Sequence, residues 1–292
     1  MSQQETMSVS LIVATIGRTE ALDHLLSSIA SQSFQGIEVI IVDQNPDDRI
    51  KAVIEKWQPC LCCIHARSPR GLSIARNAGI QLASGTILGF PDDDCWYPPS
   101  LLFQVSSWFD QHPDHGFLCG SAQDERGRQV ASRWPRCSVA VNRASVLRAC
   151  ASASFFIRKA ALDGVGGFDE RLGLGAATPF QSGEDSDLAL RCLARGRKGW
   201  FEKQLHVYHP HKGASAGSSA ARAFAYGMGF GCLLRMHGYS PHTLLYHVLR
   251  PLGGMVKCVL LVQPARAQFY WGSALGRMRG YLIAAVSVPS AK

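Results

Sequence analysis

A chain of 292 residues, 47% hydrophobic and 18% charged, has ordinary globular composition and enough apolar mass for a sizeable core, so disorder is not the default. Its net charge of +8 divides unevenly: residues 191–292 hold 14 Lys and Arg against the single acid Glu202, a balance of +13, while residues 1–190 carry 16 bases and 21 acids, or −5. Ten scattered cysteines fit free thiols in a reducing cytoplasm, and the polar opening MSQQETMSVS lacks the basic and apolar regions of a secretory leader.

The run VSLIVAT (9–15) predicts a buried strand; Leu22, Leu25, Leu26 and Ile29 then recur on one face of a helix from Thr19 to Ile29, and IEVIIVD (37–43) predicts a second strand. Strand, helix and strand without polar alternation make a βαβ unit of a parallel sheet covered on both faces. LSIARNAGIQLAS (72–84) predicts a helix ending at Gly85, and TILGF (86–90) a strand running into Asp92, Asp93 and Asp94. Residues 100–110 read as helix, ASFFIRK (153–159) as the best strand between 117 and 160, and the glycine-rich 164–184 as a long ordered loop, which in a compact domain is usually functional. GEDSDLALRCLARG (183–196) predicts a helix with acids in its first turn, and WFEKQLHVYHPHKG (200–213) a last strand with histidines at its end. Beyond Ala214 small residues and glycines give way to apolar segments broken by His247, Arg250 and Lys257; none has the length of a spanning helix. Cys60, Cys62, Cys63 and His65 are close in sequence but match no four-ligand zinc template.

Three adjacent carboxylates repel one another unless water or a cation neutralises them. An Asp-x-Asp pair at a strand end suits a hard divalent ion, whose remaining positions take phosphate oxygens. Asp43 ends the second strand as Asp92 follows the third, and in open parallel sheets ligands sit at those ends.

The segments VSLIVATIGR, IEVIIVDQNPDD, RGLSIARNAGIQLASGTILGFPDDDCWYPPSLL and VGGFDERLGLGAATPFQSGEDSDLALRCLARG, in that order, resemble the family 2 glycosyltransferases of the GT-A fold over about residues 8–213. The resemblance implies an α/β, Rossmann-like and mainly parallel sheet flanked by helices; the composition beyond it makes 214–292 a basic helical C-terminal extension. It further implies an inverting, metal-dependent transfer of sugar from a nucleotide-diphosphate sugar to a hydroxyl acceptor. By the same resemblance Thr15, Asp43, Arg76, Asp92 and Asp93 receive the nucleotide; Asp94, Asp92 and His209, with His211 as the competing histidine, hold Mg2+ or Mn2+; Asp185 is the base and Glu184 orients acceptor or loop. The first turn reads Ala14-Thr15-Ile16-Gly17 where the family often has Pro-Thr-Tyr-Asn, and Gln44 follows Asp43 where a second acid is common.

The basic extension, with apolar runs between its charges, favours the inner face of the cell membrane as a peripheral site, a lipid-linked glycan as acceptor, and cell-surface polysaccharide or glycolipid synthesis as the setting; helices packed on the main domain are the alternative. Nucleic acid is not expected as a partner, since no recognised module accompanies the charge. The rival readings are a sugar-phosphate nucleotidyltransferase, for which ATIGRTEA makes a poor phosphate loop, and a catalytically silent subunit of a polysaccharide assembly complex.

Overall fold

The computed structural model describes residues 7–130, 134–150, 152–210 and 219–287. In chain order the elements are β1 (Val9–Thr15), α1 (Glu20–Ala30), β2 (Ile37–Asp43), α2 (Lys51–Trp57), β3 (Cys62–Arg67), α3 (Leu72–Leu82), β4 (Ile87–Gly89), α4 (Leu101–Gln111), β5 (His115–Gln123), β6 (Val139–Val141), α5 (Val146–Ala149), β7 (Phe155–Arg158), α6 (Glu184–Ala194), β8 (Lys198–Tyr208), α7 (Ala220–Met236), α8 (Pro241–Leu260) and α9 (Pro264–Ser287). They fall into two compact units. Among the described residues the first comprises 7–70, 74–168 and 188–210, and the second 71–73, 169–187 and 219–287.

The first unit holds an eight-stranded sheet in the order β3-β2-β1-β4-β7-β5-β8-β6. The four strands β3, β2, β1 and β4 are parallel, as uninterrupted apolar strands require. β7 runs antiparallel between β4 and β5, β8 is parallel to β5, and β6 closes the edge antiparallel to β8. The sheet is thus mixed beyond β4. Val9, Leu11 and Val13 of β1, Val39 and Ile41 of β2 and the face Leu22, Leu25, Leu26, Ile29 of α1 share one buried cluster, so the alternate residues of each strand and the helical stripe meet where their periods place them. Three strands have no counterpart in the sequence reading: β3, β5 and the short edge strand β6. β3 is an edge strand with Cys62 and His65 exposed, and among the described residues no group of three or more His, Cys, Asp or Glu is arranged to hold a metal ion. β5 carries Gly116 and Gly120 inside the sheet; a Cβ at Gly120 would stand 2.5 Å from the Leu205 carbonyl oxygen of β8, so the glycine marks close backbone approach rather than a turn.

The second unit gathers the segment Asp169–Asp187, a loop and the first turn of α6, with α7, α8 and α9. Leu172 and Phe180 from the loop pack with Met228, Cys232 and Ala284. Ser219 and Ser240 cap α7 and α8 by accepting hydrogen bonds from Arg222 N and Thr243 N, and Pro241 follows at the first helical position. Helices α7 and α9 approach through glycines four apart: a Cβ on Gly231 would lie 2.1 Å from the Arg277 carbonyl oxygen, and one on Gly276 2.2 Å from that of Phe224.

Candidate active site

The C-terminal ends of β1, β2 and β4 lie side by side in the first unit, and there the acids collect. Thr15 is the register partner of Asp43, and both are buried. The Asp43 Oδ1 accepts hydrogen bonds from Asn45 N and Nδ2 at 2.8 and 2.7 Å, while Oδ2 lies 3.3 Å from His65 Nε2. Asn45 in turn accepts from Gly17 N at 2.6 Å, tying the turn after β1 to that after β2. Gly17 makes this turn with φ 73°, which a side chain would resist.

The turn after β4 splits its three aspartates among three cations. Asp93 points inward, where its Oδ2 accepts from Thr15 Oγ1 at 2.8 Å and its Oδ1 pairs with the Arg18 guanidinium. Burial lifts the Asp93 carboxyl above the usual range although Arg18 and Thr15 pull the other way. The same guanidinium reaches Asp94 Oδ2 at 3.1 Å; burial acts against the Arg18 cation, but the charges of Asp93 and Asp94 prevail and raise its pKa. Asp94 Oδ1 lies 3.2 Å from His209 Nε2, and His209, just beyond β8, is held above the ordinary imidazole range: burial opposes the charged form, and Asp94 and Asp92 outweigh it. Arg76 projects from α3 with only 1% exposure and meets Asp92 Oδ1 at 3.3 Å. Its guanidinium stacks over Phe168 at 5.2 Å, a ring set edge-on to Phe90.

One cluster therefore unites Thr15, Arg76, Asp92, Asp93, Asp94 and His209, with Asp43 beside it. His211 lies outside the described residues. Arg18, Asn45 and His65 were not singled out for the site. The apolar-to-charged step in VATIGR would have flagged Arg18; His65 needs the register Ile41↔His65, two residues before Asp43↔Arg67, which no local pattern displays.

The donors match a hard cation in kind, since carboxylate oxygens and an imidazole suit Mg2+ or Mn2+. Arg18, Arg76 and His209 lie against these carboxylates, and no group of three or more His, Cys, Asp or Glu among the described residues is arranged to hold a metal ion.

Glu184 and Asp185 open α6 in the second unit. Glu184 is buried and Asp185 half-buried. Gly183, with φ 98°, sets the turn into the helix, and Ser182 Oγ donates to the Tyr226 carbonyl of α7 at 2.8 Å. Gly173 passes so close that a Cβ there would stand 3.3 Å from the Glu184 carboxyl carbon. One turn on, the buried Asp187 pairs with His237 Nε2 at 2.8 Å, a partner 50 residues away that sequence spacing does not reveal.

A family model described as glycosyl transferase family 2 matches residues 10–152. The putative glycosyltransferase EpsH of Bacillus subtilis is 32% identical over 104 residues, 35% of this chain and 30% of its own. A PGL/p-HBAD biosynthesis glycosyltransferase of Mycobacterium bovis is 30% identical over 129 residues, 43% of this chain and 49% of its own. The matched part thus spans only about a third to a half of these relatives. Among solved structures, S. aureus TarS 1-349 superposes with a TM-score of 0.59 at 18% identity, covering 93% of this chain and 90% of its own. The mannosyltransferase PcManGT from Pyrobaculum calidifontis, in complex with GDP-Man and Mn2+, gives 0.57 at 18% identity, covering 97% and 76%. At such identities these two establish the shared GT-A fold.

Proposed function

We propose, from the match of residues 10–152 to the family 2 glycosyltransferase model, that the chain transfers a sugar from a nucleotide-diphosphate sugar to a hydroxyl acceptor, with inversion at the anomeric carbon. Residues 8–213 form the transferase domain in this reading, and 214–292 its basic helical extension. The observation that carries it is the aspartate triplet beyond β4, flanked by Arg18, Arg76 and His209 and adjoining the buried Thr15 and Asp43. Such a strand-end site joins carboxylates that can accept ribose and base hydrogen bonds to cations that can face a diphosphate.

Asp43 and Thr15 receive the nucleoside, Arg76 the diphosphate side, and Asp93 locks Thr15 and Arg18 in place beneath them. Asp92, Asp94 and His209 would hold Mg2+ or Mn2+, which when bound stabilises the negative charge of the departing diphosphate. Asp185 takes the acceptor's proton as its hydroxyl attacks the anomeric carbon, and Glu184 orients acceptor or loop. An aspartate of ordinary acidity, with pKa about 3.9, accepts a proton only as the hydroxyl acidifies in the transition state. The acceptor is carried on a lipid at the inner membrane face, in cell-surface polysaccharide or glycolipid synthesis; the basic composition of residues 214–292 and the biosynthetic name of the mycobacterial relative support that setting.

A panel of UDP-, GDP- and dTDP-sugars, each with and without Mn2+, tests the reading by thermal shift. A donor at a hundred times its Kd adds about 2.7 kcal/mol, and the true one stands out with Mn2+. Asp185→Asn then abolishes turnover while keeping the donor shift. No shift from any donor would overturn the reading, and donor binding without turnover in the unaltered chain would favour a silent subunit.

A further inference from the structure

Helix α8 turns its apolar stripe outward. Its inner side meets α9: Pro251 and Cys258 are buried, a Cβ on Gly254 would stand 3.1 Å from the Tyr270 ring, and Arg277 donates to the His247 carbonyl. On the opposite side Leu245, Leu249, Val256 and Leu260 follow one another at helical spacing, and each is at least half exposed. The stripe continues through the corner between α8 and α9. There Leu261 is 55% and Val262 85% exposed, and Val262 has φ 53°, a conformation that a β-branched residue rarely adopts. Of the fifteen large hydrophobic side chains exposed among the described residues, eleven lie between Leu245 and Leu282. An apolar surface so concentrated marks an interaction site.

Its rim identifies the partner. Arg250, Lys257 and Arg266 border the stripe, and residues 219–287 contain seven Lys and Arg but no Asp or Glu. A second copy of the face would set like charges together with no carboxylate to answer them. An anionic bilayer offers both an apolar depth and negative headgroups. No helix among the described residues is long and apolar enough to cross a membrane, so the contact is along the surface. We propose that this face of α8 and the corner after it lie in the headgroup layer of an anionic bilayer. Leu245, Leu249, Val256, Leu260, Leu261 and Val262 reach the acyl boundary, while the three cations sit on lipid phosphates. The inference deepens the function proposed above and rests on it for the membrane setting.

Flotation of the full chain with vesicles of neutral phosphatidylcholine, and with vesicles containing about 30% phosphatidylglycerol, tests it. Binding is expected to the anionic vesicles alone. Loss of a buried leucine weakens it by about thirtyfold, so Leu249→Glu with Leu260→Glu removes it; Lys257→Glu with Arg266→Glu lowers it by at least about fivefold per site. Both variants sit on exposed positions and keep the circular dichroism of the parent. A fluorophore at Val262→Cys is expected to blue-shift with anionic vesicles. Equal flotation of the leucine variant, or no blue shift, overturns the proposal. So does a dimer in sedimentation equilibrium that the leucine substitutions dissolve, since the face would then be occupied by a second copy. Donor-induced thermal shift, measured on the same samples, is independent of the vesicles. Failure to float with the donor shift intact refutes the membrane face and leaves the transferase reading standing.

Discussion

Arg76→Met separates two roles that the guanidinium could serve. Its nitrogen lies 3.3 Å from Asp92, and its carbon 5.2 Å from the Phe168 ring and 6.0 Å from that of Phe90. A hydrogen bond to a charged partner contributes about 1.5–3 kcal/mol; Asp92 is a third exposed and can rehydrate, so the lower part of that range applies. The cation over an aromatic face adds about 1 kcal/mol, while methionine retains most of the buried volume. The expected loss is about 2.5 kcal/mol, which for a chain of this size lowers Tm by roughly 5–10 °C. Calorimetry without nucleotide measures it, and a cycle with Asp92→Asn should show coupling of about 1 kcal/mol or more. If Tm stayed within about 2 °C and the two substitutions were additive, Arg76 would not brace the aspartate turn, and only the proposed contact with the donor would be left for it.

Two glycines in the second unit should respond in opposite directions. Gly276→Ala drives a Cβ against the Phe224 carbonyl and costs about 2–3 kcal/mol, whereas Gly253→Ala, which meets nothing within 4 Å, stabilises α8 by about 0.5–1 kcal/mol; thermal melts of the pair read both. Glu38 accepts from Ser84 N at 2.5 Å and Oγ at 2.9 Å and from Gly85 N at 3.2 Å. Burial tends to raise its pKa, but these bonds and that from Ser10 prevail and hold it below the usual value. Its stabilisation is therefore complete above about pH 4.5 and lost as pH falls through the depressed pKa, so urea titrations of Glu38→Gln should show a flatter acid limb than the parent. Burial pushes the Cys63 thiol to about 11 and that of Cys232 to about 12. Iodoacetamide at neutral pH should therefore alkylate the exposed Cys60, Cys62 and Cys137 well before either, as mapped by mass spectrometry.

What the chain displays in its order and what it conceals follow from the range of the forces involved. β1 and β2 are legible because a strand buried on both faces needs an unbroken apolar run, and α1 because its stripe repeats at 3.6 residues. β3 lacks that run because an edge strand need not bury both faces, and β5 is masked by Gly116 and Gly120, whose small size serves neighbouring strands rather than their own segment. The glycines of α7 and α9 similarly resemble flexibility until two helix backbones are brought together. At the site, like charges at consecutive positions must be compensated locally, so the need for positive charge near Asp92, Asp93 and Asp94 can be read from the triplet itself. Its source cannot: Arg18 arrives 75 residues before Asp93 and His209 more than a hundred after Asp94, each delivered by strand order. The aspartate turn is tolerable because Arg18 and Arg76 set a cation against each carboxylate.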